Sequence, residues 1–342
     1  MLVDPLALAD EFEHLRALYL SDILDRLSID RDALLVTPWH REANRIRETK
    51  RGADRHGSCG TGVGETRSYA LKFPDLAPKV GDCLDAPAVA GKLALLKHHL
   101  ENELGPLRRT PSVTETANTY LEFAHAVKIV SGEYLHDLLD KNDAVFEGAQ
   151  GVLLDEKYGF PPYNTWSNTT FENAHTLLEE IGHKGYRLGV TRAYMTRHGA
   201  GPFPTEDAKL HIKEPHNEDG PWQGPVRFGH LDVVALRYAL GVIQGVDGIA
   251  VTHLDTAAYH KLKWCNEYTT RSNRITLTEL PIMDVPQPSA FTDLANGVVP
   301  GYRAQDVGWP KLIERELDVP VVMMSAGPGY DNKIFRPPLD LP

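Results

Sequence analysis

Residues 248–255, GIAVTHLD, run apolar from Ile249 to Val251 and then turn polar at Thr252, His253 and Asp255. A short run that is apolar throughout, without alternation, suits a strand covered on both faces. Its closing carboxylate falls where an α/β strand delivers side chains to a ligand crevice. Residues 319–330, VPVVMMSAGPGY, repeat the plan with Ser325 and Gly327 in the turn. Residues 188–197, LGVTRAYMTR, form a third candidate strand, leading into HGAGPFPTE at 198–206, whose prolines and glycines fix an irregular backbone.

Helical patterns lie between these strands. Residues 231–243, LDVVALRYALGVI, carry Asp232 in the first turn, where a carboxylate opposes the helix dipole. Asp4-Pro5 ahead of LALADEFEHLRALYL reads as an N-cap followed by a proline at the first helical position. Residues 93–104 and 120–139 have helical apolar spacing, and Met1–Val3 look like the tail of a buried strand. Strands that end in polar turns with helices between them predict an α/β fold, a mostly parallel central sheet with helices on both faces. One domain over 1–342 is expected, with 87–140 as a largely helical excursion.

Composition narrows the partners. A formal charge of −11 disfavours a broad nucleic-acid footprint, and no apolar run approaches the roughly 20 residues of a membrane span. Cys59, Cys83 and Cys265 are odd in number, widely spaced and without a CxxC pair, which disfavours both a disulfide framework and a thiolate metal site and fits a reducing cytoplasm. None of the histidines forms an HExxH-type spacing, so no metal ligands are assigned. The expected partners are small molecules.

Several polar side chains stand out. In 144–155, AVFEGAQGVLLD, a strand is expected to enter a tight turn, and Gln150 is either a satisfied core amide or a contact for a base edge, peptide-like group or phosphate. Asp255 is either a cap for the following segment or an acceptor for the paired N–H groups of guanine. Arg192, Arg197 and Arg227 lie near glycine- or proline-rich turns and could bind carboxylate or phosphate, or make surface ion pairs of little worth. The loop GSCGTGVG at 57–64 could bring backbone N–H groups to an anion or be a flexible surface loop.

In order and approximate spacing, FEGAQGVLLD, YNTWSNTT, RHGAGPFPTE, THLD and SAGPG resemble the motifs of the adenylosuccinate synthetase family, and RGADRHGSCGTGVG resembles that family's ARGA..IGTTGRGIGP. The resemblance spans roughly 40–330. It implies a P-loop-NTPase-like architecture and a homodimer that joins L-aspartate to C6 of IMP with GTP and Mg2+, through a 6-phosphoryl intermediate, in purine biosynthesis. By the same resemblance Ser58, Cys59, Gln150 and Thr165 bind the substrate nucleotide, Arg227 and Arg197 face the amino acid, and His253, Asp255, Ser325 and Gly327 surround the base of GTP.

The departures from the family pattern are specific. His253 stands where members carry Lys. The segment GPWQGPVRFGH at 220–230 aligns with the aspartate loop but lacks its paired Thr residues and keeps only Arg227 of its arginine run. No GDEGKGK or NAGHT segment occurs, so the family's first strands, phosphate loop, catalytic Asp and catalytic His are not matched, and no residue here is assigned as acid or base. The expectation is a divergent ligase acting on IMP or a close 6-oxopurine nucleotide, with three readings of that difference: a start at an internal Met, a separate chain carrying the phosphate loop, or a non-catalytic nucleotide-binding homologue.

Overall fold

The apolar opening does enter a strand. In the computed structural model, which describes residues 1–18, 22–214, 217, 220–282 and 290–336, β1 (Leu2–Val3) pairs in parallel with β3 (Leu34–Leu35). Asp4 then caps α1 (Pro5–Ala17), its carboxylate accepting from the N–H groups of Leu6 and Ala7 at 3.1 and 3.3 Å. The chain falls into two compact units, Met1–Val145 and Phe146–Pro342. Residues 87–140 belong to the first.

That first unit continues with α2 (Ile23–Arg26), β2 (Ser28–Asp30), α3 (Pro38–Arg51), α4 (Val63–Lys72), α5 (Ala86–Leu104), α6 (Val113–Ala126), β4 (Lys128–Val130) and α7 (Gly132–Lys141). Val89, Leu93, Leu96 and Leu100 recur at helical spacing along α5 and are all buried, against a core that includes Leu35, Trp39, Val80 and Tyr120. Each such side chain contributes about 2 kcal/mol by leaving water. The single helix expected over 120–139 is two helices. Lys128-Ile129-Val130 leave the helical path because β2 offers them a parallel partner, Ile29 against Ile129; apolar spacing alone cannot see that distant strand.

The second unit holds α8 (Glu172–Glu179), β5 (Leu188–Arg192), β6 (Met195–His198), β7 (Val226–Gly229), β8 (Leu231–Asp232), α9 (Val233–Val242), β9 (Gly248–Thr252) and α10 (Leu254–Tyr259). After these come β10 (Lys263–Thr270), β11 (Thr276–Leu277), α11 (Ala290–Asn296), β12 (Val298–Ala304), α12 (Trp309–Leu317), β13 (Val321–Ser325) and β14 (Lys333–Phe335). The expected parallel arrangement is carried by β5, β9 and β13, in a four-stranded sheet ordered β14-β13-β9-β5 with β14 antiparallel. A second sheet forms around β10, which pairs with β11 and β12 antiparallel and with β8 in parallel. The expected α/β class is thus realised with strands divided among several sheets.

Two strand readings change. LGVTRAYMTR is two strands, because buried Ala193 and Tyr194 turn the chain from the parallel sheet into β6, which pairs antiparallel with β7. AVFEG forms no strand: residues 143–150 are exposed, with Val145 at 95% and Phe146 at 40%, and no described strand pairs with them. A strand needs neighbours for its backbone N–H and C=O groups, and side-chain pattern does not supply them. Among the described residues no helix is long and apolar enough to cross a membrane.

Candidate functional site

The strands β5, β9 and β13 end together. Arg192 is in register with Thr252, and Met324 with Val251, so the turns that follow β9 and β13 are neighbours at the carboxyl edge of the sheet. His253, Asp255, Ser325 and Gly327 are thereby brought to one place. His253 adopts a left-handed backbone, φ 58°, which bends the chain from β9 into α10. Asp255, in the first turn of α10, is exposed, and its carboxylate has no protein hydrogen bond among the described residues, leaving it open to a ligand. Ser325 is buried and donates to the Gly327 carbonyl at 3.2 Å; Lys333 Nζ donates to the carbonyls of Gly327 and Gly329 at 2.6 and 3.0 Å. The SAGPG turn is therefore prebuilt.

Thr252 Oγ1 lies 3.0 Å from His253 Nδ1 and 3.3 Å from the Thr191 carbonyl oxygen, within hydrogen-bond reach of both. Burial, with the nearby Arg192 charge, holds the imidazole below its usual pKa. A neutral imidazole thus stands where the resemblance places a lysine cation.

Behind this edge lies a partly buried polar cluster around Glu214, a residue that sequence reading did not single out. Glu214, whose side chain is 7% exposed, pairs with Arg192 and accepts from the Tyr194 hydroxyl at 2.6 Å and from Asn217 Nδ2 at 2.8 Å. Asn217 in turn bonds His198 Nε2. Burial opposes the Glu214 charge, yet the bonds from Tyr194, Arg192 and Asn217 hold its carboxyl below the usual range. The Tyr194 ring stands edge-on to His253, with centroids 5.9 Å apart.

Arg197 and Arg227 are direct cross-strand partners in β6 and β7. Arg227 donates Nε and Nη2 to the two oxygens of Glu206 at 2.9 and 2.5 Å, and Nη1 to the carbonyls of Gly199 and Gly201, each at 2.9 Å. Four of its five N–H groups are so occupied. Arg197 donates to the carbonyls of Ala200 and Tyr163 at 3.0 and 2.9 Å. Burial, then the facing Arg227, pushes Arg197 down to about 10. Both guanidiniums thus brace the HGAGP turn, and the bond to Tyr163 ties that turn to the YNTWSNTT loop.

Gln150 is exposed, with φ 68°, so it is not a core amide. The loop after it is organised by Asp155, fully buried at the end of FEGAQGVLLD. Its carboxylate accepts from the N–H groups of Lys157, Tyr158 and Thr169 at 2.8, 3.2 and 2.7 Å. Thr165 donates its N–H to the Leu154 carbonyl at 2.7 Å, and its hydroxyl lies 3.4 Å from that of Ser167. An acid closing an apolar run was the available signal for Asp155.

Ser58 and Cys59 belong to the first unit. Their glycine-rich loop is held by α3: Asn44 Nδ2 donates to Ser58 Oγ at 2.8 Å, Arg45 Nε to the Gly60 carbonyl at 3.2 Å, and Glu48 Oε2 accepts from Gly57 N–H at 3.1 Å. Cys59 Sγ is 2.9 Å from Thr61 Oγ1. Gly62 has φ 92°, and a Cβ there would lie 2.7 Å from the Arg41 backbone nitrogen. Gly62→Ala is expected to destabilise by about 2 kcal/mol, from the left-handed backbone plus the clash. Thermal unfolding of the variant checks this.

No group of three or more His, Cys, Asp or Glu among the described residues could hold a metal ion. The family model for adenylosuccinate synthetase matches residues 1–334. Adenylosuccinate synthetase of Chlorobium phaeovibrioides is 30% identical over 98% of this chain and 81% of its own length, and that of Acidithiobacillus ferrooxidans 32% over 98% and 82%. Among solved structures, the fully ligated adenylosuccinate synthetase of Plasmodium falciparum shares the fold with a TM-score of 0.81 at 22% identity, covering 98% of this chain and 83% of that one. The cyanophage S-2L succinoaminodeoxyadenylate synthetase has a TM-score of 0.57 at 16% identity, over 98% and 75%.

Proposed function

The chain belongs to the adenylosuccinate synthetase family, and from that premise we propose that it is a C–N ligase joining L-aspartate to C6 of IMP or a close 6-oxopurine nucleotide, in purine biosynthesis. The observation that carries this is the match of the family model over residues 1–334. The second unit supports it: the Arg197 bond to the Tyr163 carbonyl joins RHGAGPFPTE to YNTWSNTT, and the register of β9 with β13 sets THLD beside SAGPG.

In this reading Asp255 and His253, with the SAGPG turn, take the base of a nucleoside triphosphate, GTP by resemblance. Asp255 accepts from base N–H groups and the neutral His253 ring offers a further hydrogen-bonding nitrogen. Gln150 and Thr165 contact the substrate nucleotide, and Arg227 and Arg197 shape the turn beside the amino acid. The described residues form no cage for Mg2+, so no step is assigned through it here. A homodimer in the cytoplasm completes the proposal.

Incubation with IMP, aspartate, GTP and Mg2+ is expected to give the absorbance of the succinylated purine. Asp255→Asn is expected to raise KM for GTP at least about tenfold while leaving KM for IMP within about twofold, since one charge-assisted base pairing is worth that discrimination. Nucleotide binding without product would reject the ligase reading, and equal loss for both nucleotides would reject the role of Asp255.

A further inference from the structure

We propose that Glu214 is a positioning residue for the nucleotide-base site, setting the place of His253 through Tyr194 and the place of Arg192 directly. The inference rests on the reading that a purine nucleoside triphosphate binds at the carboxyl edge of β5, β9 and β13.

Three side chains converge on this one carboxylate. Oε1 takes both the Arg192 guanidinium and the Tyr194 hydroxyl, the latter at 2.6 Å, while Oε2 takes Asn217 Nδ2 at 2.8 Å. Arg192 is the last residue of β5, and Tyr194 is 1% exposed. Both are therefore anchored at one end by backbone and at the other by Glu214. The Arg192 guanidinium also lies 5.9 Å from the Tyr194 ring centroid, so the two side chains brace each other.

His253 completes the link. Its ring is held at Nδ1 by Thr252 and packed edge-on against Tyr194, with an interplanar angle of 83°. A tilt of the tyrosine would therefore move the imidazole and redirect its Nε2. On its other side Glu214 reaches the HGAGP turn, because Asn217 bonds His198, the residue just before Gly199. A buried carboxylate that gathers donors from the end of β5 and from its own loop fixes their relative places, and its truncation leaves Arg192 without its counter-ion.

The test compares Glu214→Ala with Glu214→Gln. The amide of Gln keeps an acceptor for Arg192 and Tyr194, whereas Ala keeps none. Direct binding of GTP and ATP is measured by calorimetry, with KM for nucleoside triphosphate and for IMP where turnover is seen. Glu214→Ala is expected to weaken nucleoside triphosphate binding about tenfold or more, with KM for IMP within about twofold, and Glu214→Gln to restore most of it. Equal losses for both nucleotides, absence of rescue by Gln, or unchanged triphosphate binding in Glu214→Ala each overturn the proposal. Weakened binding in a protein that forms no product supports the positioning role while rejecting the ligase reading. If the native protein binds neither triphosphate, both readings fall together.

Discussion

Acidification from pH 7 to pH 4 is expected to cost the first unit roughly 3 kcal/mol through His40 alone. His40 sits at the third position of α3 with its side chain fully buried. Its Nδ1 accepts from the Thr37 N–H at 3.3 Å, so the proton is on Nε2, which has no hydrogen-bond partner among the described residues. Burial pushes this imidazole down to about 3. The unfolded chain, with an ordinary histidine near 6.5, therefore binds the proton first. Stability is full above about pH 6.5, falls as pH drops, and levels off only below about pH 3. Protonation also converts the Nδ1 acceptor into a donor aimed at the N–H it was capping.

Other groups contribute to acid loss, including Asp32, which its bond to Lys79 holds low, and Glu103, held low by Arg47. The His40→Gln variant isolates the histidine. Glutamine at this position can still reach back to the cap N–H, but it does not titrate. Hydrogen exchange of the α3 and α5 amides should show a pH slope reduced by about one proton in the variant. An unchanged slope between pH 6.5 and 4 would mean that His40 is not the buried base described.

What the sequence disclosed follows a physical division. The edge residues His253, Asp255, Ser325 and Gly327 were readable because an apolar run ending in a polar turn is a local pattern, and the register of β5, β9 and β13 brings those ends together. Asp4 as a cap and the buried face of α5 were readable for the same reason. The break at Lys128–Val130 was not, because β4 exists only by pairing with β2. Nor was AVFEG, where pattern suggested a strand and the surroundings supplied no partner.

The acids were the hardest. Asp155 closes an apolar run with nothing local to say what it holds, and Glu206 and Glu214 occur in irregular segments, where a carboxylate reads as surface. Their meaning lies in the donors that reach them, from Thr169, Arg227 and Arg192 respectively. Arg197 and Arg227 are the opposite case. Their residue type and turn context suggested ligand contacts, but the structure gives both of them protein acceptors.

That occupancy makes Arg227→Ala the sharpest discriminator between bracing and binding. The substitution strips both oxygens of Glu206 and the carbonyls of Gly199 and Gly201 of their donor. The loss is expected to be about 2–4 kcal/mol, because the side chains are only partly screened and several acceptors are orphaned at once. It should appear as a lowered unfolding temperature with no substrate present. Arg227→Lys should recover only part, since an ammonium cannot meet a carboxylate and two carbonyls in the guanidinium's fork geometry. Adding Glu206→Gln to Arg227→Ala should soften the loss, as the uncompensated carboxylate is then gone, and the double-mutant cycle should show coupling of at least about 1 kcal/mol. A guanidinium reserved for the substrate carboxylate behaves otherwise: Arg227→Ala would keep its unfolding temperature and lose only affinity for the amino acid, and that result would return Arg227 to the binding surface.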